Sequence, residues 1–354
     1  MFVFLKASLS MNILFIINSL KNKSGSERVA IELVNKMSAI EDYDITLLNR
    51  ESNKNGTAYP VADNVNVIAL NGNLFQFYQK LKKHIAASNY DVVVVHNMGK
   101  LSLLCAFVPN IKKLVILEHV SFVSRPQKIQ ILSKLLYRKI DQVVTLTQND
   151  KEQFDKFHSN VLVIPNFSPF PISSTHQQNK KQIVTIGRLT DQKNYIHLLQ
   201  AWEKIHQSIP EWQLNIYGEG EHYSMLDDYI TKNSLRNVTL MGTTSNVKQV
   251  YEQSNFFVMS SKYEGLPMVL IEAQSFGLPI VSYNCPYGPS DVIQENKNGL
   301  LVEDQNIDKL AEAILKLASS PDLLKRFSQE SLLNAEKYQP EQILKIWIGK
   351  VLQG

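Results

Sequence analysis

Short apolar runs alternate with segments of helical period along almost the whole chain. NILFIIN (residues 12–18) is followed by a helical stretch that begins near Ser26, ERVAIELVNKM. DITLLN and VNVIAL come next, then a helix around LFQFYQKLKKHIAAS, then DVVVVHN. KLVILEH, a basic helix near residues 127–139, QVVTLT and VLVIPN complete a first series. Continuous Val, Ile and Leu runs mark strands buried on both faces, and a period of 3.6 marks the helices that cross between them. The pattern predicts a doubly wound α/β domain.

The segment FSPFPISSTHQQNKK (167–181) breaks the pattern: it is rich in Pro, Ser and Gln and has no periodicity, as expected of a linker. A second α/β series then starts with QIVTIGRL and the helix around YIHLLQAWEKIHQ. WQLNIYGEG, NVTLMG, FFVMSS and PIVSY are further strands, and GLLVED is followed by helices from about residues 307–318 and 322–337. The final helix, PEQILKIWIGKVLQ, is amphipathic. The expected division is therefore residues 1–170, a linker at 171–181, and 182–337, with 338–354 as a terminal helix. Two such domains facing each other would leave a cleft at the carboxyl ends of both sheets, where ligands of such sheets bind.

Composition narrows the class. A chain of 354 residues with 44% hydrophobic and 20% charged residues is that of an ordinary globular protein, long enough for two cores. Cys105 and Cys285 stand far apart, offer neither a disulfide framework nor a zinc site, and fit a reducing, cytoplasmic setting. No run has the roughly 18 apolar residues of a membrane span. The start, MFVFLKASLS, lacks a small-residue cleavage site and is not expected to be a signal peptide; Met11 is an alternative start. The charge is unevenly spread. Residues 1–170 carry 20 Lys and Arg against 13 Asp and Glu, and the rest carry 17 against 20. The basic excess includes Lys80, Lys82, Lys83, Lys112, Lys113, Arg125, Lys128, Lys134, Arg138 and Lys139. It reads as a solvated face, or as one drawn to an anionic membrane surface or a phosphorylated acceptor. No nucleic acid is expected, because no aromatic-interleaved basic strand is present.

Candidate chemistry centres on SSKYEGLPMVLIEAQSFGLPIVS (260–282). Gly265 permits a tight loop, Pro267 suits a first helical turn, and the helix is expected from about Met268 to Phe276, with Gly277 as its stop. Glu264 then lies at the helix mouth and Glu272 roughly 6–8 Å further along the axis, at about 1.5 Å per residue. A carboxylate among Val269, Leu270, Ile271 and Ala273 needs a polar partner. The free N–H groups at the mouth suit an anion, so the pair of carboxylates would flank a phosphate and hold polyol groups.

These residues resemble the E-x7-E pattern of retaining glycosyltransferases of family 4, which have the GT-B fold. GRLTDQKN (187–194), YGEGEHYSML, VTLMG, SNFFVMSSKYEGLPMVLIEA and NGLLVE are similar to family segments at family-like spacing. SGSERVAIEL and EHVS carry the likeness in the first half. The resemblance implies two Rossmann-like domains with a cleft between them and a C-terminal helix that crosses back onto the first. It also implies a nucleotide-sugar donor, probed mainly by the second domain, and a glycan or lipid-linked acceptor. Arg188 and Lys193 would hold the donor diphosphate; a strand-end Arg and a Lys five residues on can converge on one anion. Gly187 would border that site. Glu272 would accept hydrogen bonds from the ribose, Glu264 would bind hydroxyls of the transferred sugar, and backbone groups of Gly265, Leu266, Pro267 and Met268 would touch sugar or phosphate. Gly25 would let backbone approach the diphosphate, although this chain has Ser24-Gly25 where the family often has two glycines. His119 matches a histidine near sugar and acceptor; His96 has the same strand-end setting and a weaker claim. CPYGPSD (285–291) resembles a segment of subgroups that transfer galactose-type or N-acetylhexosamine sugars, with Tyr287 and Asp291 as departures.

Asp42-Tyr43-Asp44 fits the D-x-D pattern by which other glycosyltransferases hold a cation. It precedes a strand in a turn of the first domain, so no metal and no other cofactor is expected, and Arg188 and Lys193 would supply the positive charge. Glu264 is the carboxylate candidate near the sugar. Covalent and same-face retaining routes both remain open, as do two other readings: a non-catalytic subunit of this fold that binds a partner transferase or membrane, and a nucleotide-sugar epimerase.

Overall fold

A computed structural model describes residues 10–21, 25–51, 56–97, 100–173 and 180–354. Ser24 and most of the expected linker (174–179) lie outside them. The chain forms two compact units, Met1–Pro165 with Leu344–Gly354, and Asn166–Ile343.

The first unit holds a seven-stranded sheet of β1 (Met11–Ile17), β2 (Tyr43–Asn49), β3 (Asn66–Ala69), β4 (Val92–Asn97), β5 (Leu114–Glu118), β6 (Gln142–Thr145) and β7 (Val161–Val163). Its order is β3-β2-β1-β4-β5-β6-β7, and every pair is parallel. The apolar runs named above supply these strands, and Ile13, Leu14, Phe15, Ile16, Val94, Val95, Val115 and Ile116 are all fully buried. Crossovers include α1 (Gly25–Ser38), α2 (Leu74–Ala86), α3 (Leu101–Cys105), α4 (Gln127–Leu136) and α5 (Gln148–Asp155). Helix α2 opens on a capping box between Asn73 and Gln76. Helices α3 and α5 escape the apolar pattern, because one has five residues and the other, QNDKEQFD, buries only Asp150 and Phe154.

The second unit repeats the plan with six strands: β8 (Gln182–Ile186), β9 (Gln213–Tyr217), β10 (Val238–Gly242), β11 (Phe256–Met259), β12 (Ile280–Tyr283) and β13 (Gly299–Val302). The order is β10-β9-β8-β11-β12-β13, again all parallel. Its helices are α6 (Tyr195–Ile205), α7 (Tyr223–Lys232), α8 (Val247–Glu252), α9 (Met268–Ser275), α10 (Pro289–Val292), α11 (Ile307–Ala318) and α12 (Pro321–Ala335). One face of the sheet packs Leu198, Leu199, Trp202, Phe256, Ile314 and Phe327; the other packs Phe257, Leu270, Ile271 and Phe276. Ser168 joins this unit, its N–H bonded to the Tyr338 carbonyl and its hydroxyl 2.8 Å from that of Ser275.

Both sheets have the order of a dinucleotide-binding fold, in which the chain reverses direction beside the first strand. The reversal falls between β1 and β4 and between β8 and β11. The terminal helix α13 (Pro340–Trp347) continues as a π-turn, Ile348–Leu352. Within the first unit, the Lys350 carbonyl accepts from Gln142, and the Gly354 carbonyl accepts from Lys113.

Candidate active site

In the second unit, the chain leaves β8 at Gly187 and turns through Arg188–Lys193 before α6 begins. Two glycines make this turn feasible. Gly218 has φ +144°, and a Cβ there would sit 1.9 Å from the Gly187 carbonyl oxygen; one at Gly220 would sit 2.3 Å from that of Leu189. Gly-Glu-Gly after β9 therefore lies directly against the β8 turn, held by the Leu189 N–H to the Glu219 carbonyl at 2.8 Å. Asn194, with φ 52°, closes the turn in the left-handed region and starts α6.

Lys193 runs its stem over Gly187, whose added Cβ would meet Lys193 Cε at 3.1 Å, and ends 2.7 Å from Glu264 Oε1. The two side chains are 18% and 8% exposed. Glu264 follows β11 and Lys193 follows β8, so their bond spans the switch point of the sheet. The flanking backbones are laced together as well. Ser260 donates to the Lys193 carbonyl at 3.0 Å, the Lys262 N–H to the Gln192 carbonyl at 2.9 Å, and the Gln192 amide to the Tyr263 carbonyl at 3.0 Å. Arg188, which follows Gly187 in the same turn, is exposed and forms no ion pair among the described residues.

The loop Glu264–Pro267 rests on the segment 285–291. The Glu264 N–H reaches the Pro286 carbonyl at 3.4 Å, and a Cβ at Gly288 (φ +88°) would lie 2.0 Å from the Gly265 carbonyl oxygen and 2.4 Å from Pro267 Cδ. Cys-Pro-Tyr-Gly-Pro thus seats the loop. Burial pushes the Cys285 thiol up to about 12, so it stays protonated near neutrality. Pro267 occupies the cap position of α9, one residue before the first turn in which it was expected. No side chain caps this helix and no acid sits in its first turn, so the N–H groups of Met268 and Val269 keep their positive end for another acceptor. Leu266 and Met268 pack on the core below.

Glu272 is buried within α9, and the polar partner demanded by its apolar neighbours is Tyr251 of α8, whose hydroxyl donates to Glu272 Oε2 at 3.0 Å. The structure thus joins Gly187, Lys193, Glu264, Gly265 and the start of α9 around one turn. Glu272 is a turn deeper and tied to its own tyrosine.

Gly25 and His119 belong to the first unit. Gly25 opens α1, and a Cβ there would meet nothing within 4 Å; its surroundings do not require a glycine. His119 follows β5. Its Nε2 is 3.0 Å from Nδ1 of His96, and the two rings stack at 5.2 Å and 17°. The parallel register explains the meeting: His96 pairs with Leu117, so His119 projects from the same face two residues on. Burial holds His119 down to about 4 and lowers His96 well below the usual imidazole value, so both rings are neutral at pH 7. His96, the weaker strand-end candidate, is the direct partner of the stronger one.

Glu118 alternates to the opposite face. It is buried and takes hydrogen bonds from Arg125 and Tyr137, while Tyr137 also meets Ser102 Oγ at 2.9 Å. The Arg125 guanidinium lies 5.6 and 5.5 Å from the rings of Phe122 and Phe154. Arg125, counted above with the basic face, is a core residue and is withdrawn from that face. Asp42-Tyr43-Asp44, expected in the turn before the strand, straddles its start: Asp42 precedes β2 and Tyr43 and Asp44 are its first residues, with Asp44 accepting from Ser10 at 2.7 Å; no cluster of three or more potential metal ligands occurs among the described residues.

A doubly wound pair of units, with an Arg, a Lys–Glu pair and an uncapped helix mouth near the second switch point, defines a two-unit α/β protein with a candidate ligand site at the carboxyl end of its second sheet. Profiles of two families match it: glycosyl transferases group 1 over residues 168–332 and glycosyltransferase family 4 over 23–167. An amylovoran biosynthesis glycosyltransferase of Erwinia amylovora is 30% identical over 351 residues, spanning 95% of this chain and 98% of that protein. A poly(ribitol-phosphate) alpha-N-acetylglucosaminyltransferase of Staphylococcus aureus is 34% identical over 217 residues, 60% of this chain and 44% of that protein. The chain belongs to this glycosyltransferase family and is a glycosyltransferase. Its fold matches the lipopolysaccharide outer core galactosyltransferase WaaB (TM-score 0.79, 18% identity, 97% of this chain and 99% of that one). It also matches HepE of Anabaena, solved with UDP (0.79, 17%, 97% and 100%).

Proposed function

We propose that the protein transfers a hexose or N-acetylhexosamine, with retention, from a UDP-linked donor to a glycan or lipid-linked glycan in bacterial-type surface polysaccharide or lipooligosaccharide assembly. The observation that carries this is the Lys193–Glu264 pair across the switch point of the second sheet, with an exposed Arg188 on the same strand-end turn as Lys193. UDP bound to fold neighbours and the polysaccharide roles of relatives support the donor and acceptor classes.

Arg188 and Lys193 bind the diphosphate together with the N–H groups at the mouth of α9, and their charge stabilises the leaving group as the glycosidic bond lengthens. Glu272, held by Tyr251, accepts from the ribose, and Glu264 from the sugar. Because Glu264 is bonded to Lys193, its carboxylate is a poor nucleophile. We therefore favour same-face attack, with a donor phosphate oxygen taking the acceptor proton. Neutral His119, steadied by His96, offers a hydrogen bond to the acceptor. No divalent cation is required, since the cationic side chains serve that role. The enzyme works on the cytoplasmic side, at the membrane surface where a lipid-linked acceptor lies; among the described residues no helix is long and apolar enough to cross a membrane.

A panel of nucleotide sugars, scored by thermal stabilisation, tests this. One UDP-sugar should raise the melting temperature by mass action, and Arg188→Ala or Glu272→Ala should abolish the rise. Transfer should persist in excess EDTA. An unchanged shift in both variants would place the donor elsewhere.

A further inference from the structure

Helix α4 is apolar on two faces. Amphipathic helices of globular domains turn their apolar stripe inward, and α4 packs Ile129 and Leu136 on the core, with Ser133 buried between them beside Arg125; yet Ile131 (62% exposed), Leu132 and Leu135 (59%) face outward as well. Spacings of three and four place Lys128, Ile131, Leu132 and Leu135 on one face. Arg138 and Lys139 follow in the next turn, Tyr137–Lys139, and both are exposed. Two further apolar side chains, Val123 and Phe107, are exposed nearby in the chain, with Lys139 Nζ 4.9 Å from the Phe107 ring and Lys134 Nζ 5.9 Å from that of Phe122.

The charge on this surface has one sign. From residue 119 to 140 the sequence has no Asp or Glu. Among the described residues none of Lys128, Lys134, Arg138 and Lys139 is in an ion pair. The one cation of the stretch that is neutralised, Arg125, is buried with Glu118. An anionic polymer would account for the lysines but not for three exposed branched aliphatics. A protein partner would account for the aliphatics but gains nothing specific from an acid-free rim. A row of aliphatics flanked by cations fits a bilayer interface, where apolar side chains sink to the acyl boundary and lysine stems carry their charge back to headgroup phosphates.

We propose that the α4 face, Lys128, Ile131, Leu132, Leu135, Arg138 and Lys139, docks the first unit onto a membrane bearing anionic phospholipid. This deepens the preceding proposal and rests on its lipid-linked acceptor for its purpose, while its geometry is independent of donor chemistry.

The test is co-sedimentation of the full chain with vesicles of phosphatidylglycerol and phosphatidylcholine in equal parts, against phosphatidylcholine alone, in about 100 mM salt. The wild type should pellet with the anionic vesicles and be released by about 500 mM salt. Ile131→Asp/Leu135→Asp and, separately, Lys128→Glu/Arg138→Glu should each weaken binding by roughly tenfold or more. Both variants should keep the donor-induced melting shift, which shows them folded and keeps this result apart from that of the donor site. The proposal is overturned if the wild type ignores anionic vesicles, or if the aspartate variant binds them undiminished, the result expected for a purely electrostatic polymer groove. It is also overturned if that variant merely dissociates a dimer seen by light scattering.

Discussion

Among the described residues, two Glu–cation bonds lie at the carboxyl ends of the sheets, and they differ in almost everything but chemistry. Glu118–Arg125 in the first unit is sealed, its side chains 2% and 3% exposed, and its carboxylate also takes the Tyr137 hydroxyl. Lys193–Glu264 in the second unit is less deeply buried, its side chains 18% and 8% exposed, and Arg188 of the same strand-end turn is exposed. A buried pair is costly to break because each partner strands the other's charge in low dielectric. A pair that solvent still reaches can exchange partners with an incoming anion or hydroxyl at lower cost. The sealed pair is therefore suited to holding strand β5 and its histidine in place, and the more accessible pair is the one proposed to bind.

The comparison is most severely tested at Arg125. Arg125→Ala should destabilise the first unit by about 3–5 kcal/mol, read from its urea transition, yet leave the donor-induced stabilisation of the second unit intact; replacing both partners, Glu118→Leu with Arg125→Met, should recover part of the loss. The open pair should behave in the opposite way. Glu264→Gln should cost about 1 kcal/mol of stability, while lowering the transfer rate by roughly a hundredfold or more. An equal stability cost at both glutamates would erase the distinction.

A pH series sharpens it further. His119 is held to about 4 in the fold against an ordinary 6.5, so the unfolded chain binds the extra proton first. Stability is complete above about pH 6.5 and should fall as the pH drops toward 4. The slope should map to the first unit and shrink in His96→Asn. The smallest effect belongs to Tyr251→Phe, which removes one hydrogen bond to Glu272: about 1 kcal/mol of stability and a few-fold in donor affinity, measured by titration calorimetry.

Much of the candidate site's layout was legible in the primary structure because its parts are local. Glu264 and Glu272 lie on one loop and helix, and Arg188 and Lys193 on one strand-end turn. What could not be read was pairing across strands. Nothing in EHVS says that Glu118 and His119 point to opposite faces, one toward Arg125 and the other toward His96, since that depends on the register of β5 against β4. Nor does CPYGPSD say that its glycine abuts Gly265, because that contact joins backbones more than twenty residues apart. Short polar helices such as α5 likewise leave no apolar stripe to read.

The amino-acid sequence by itself determined two parallel α/β sheets, their strands and most of their helices, because alternating burial and turn chemistry are written in consecutive residues. Tertiary structure alone decided which charges are sealed and which remain open. Arg125 lies in the core although it reads as surface, and within α4 the structure alone separates Ile129 and Leu136, packed on the core, from Ile131, Leu132 and Leu135, which lie outside. The physical reason is that burial is a property of what packs against a side chain, and that is set by strand order and crossover geometry rather than by neighbours in the chain.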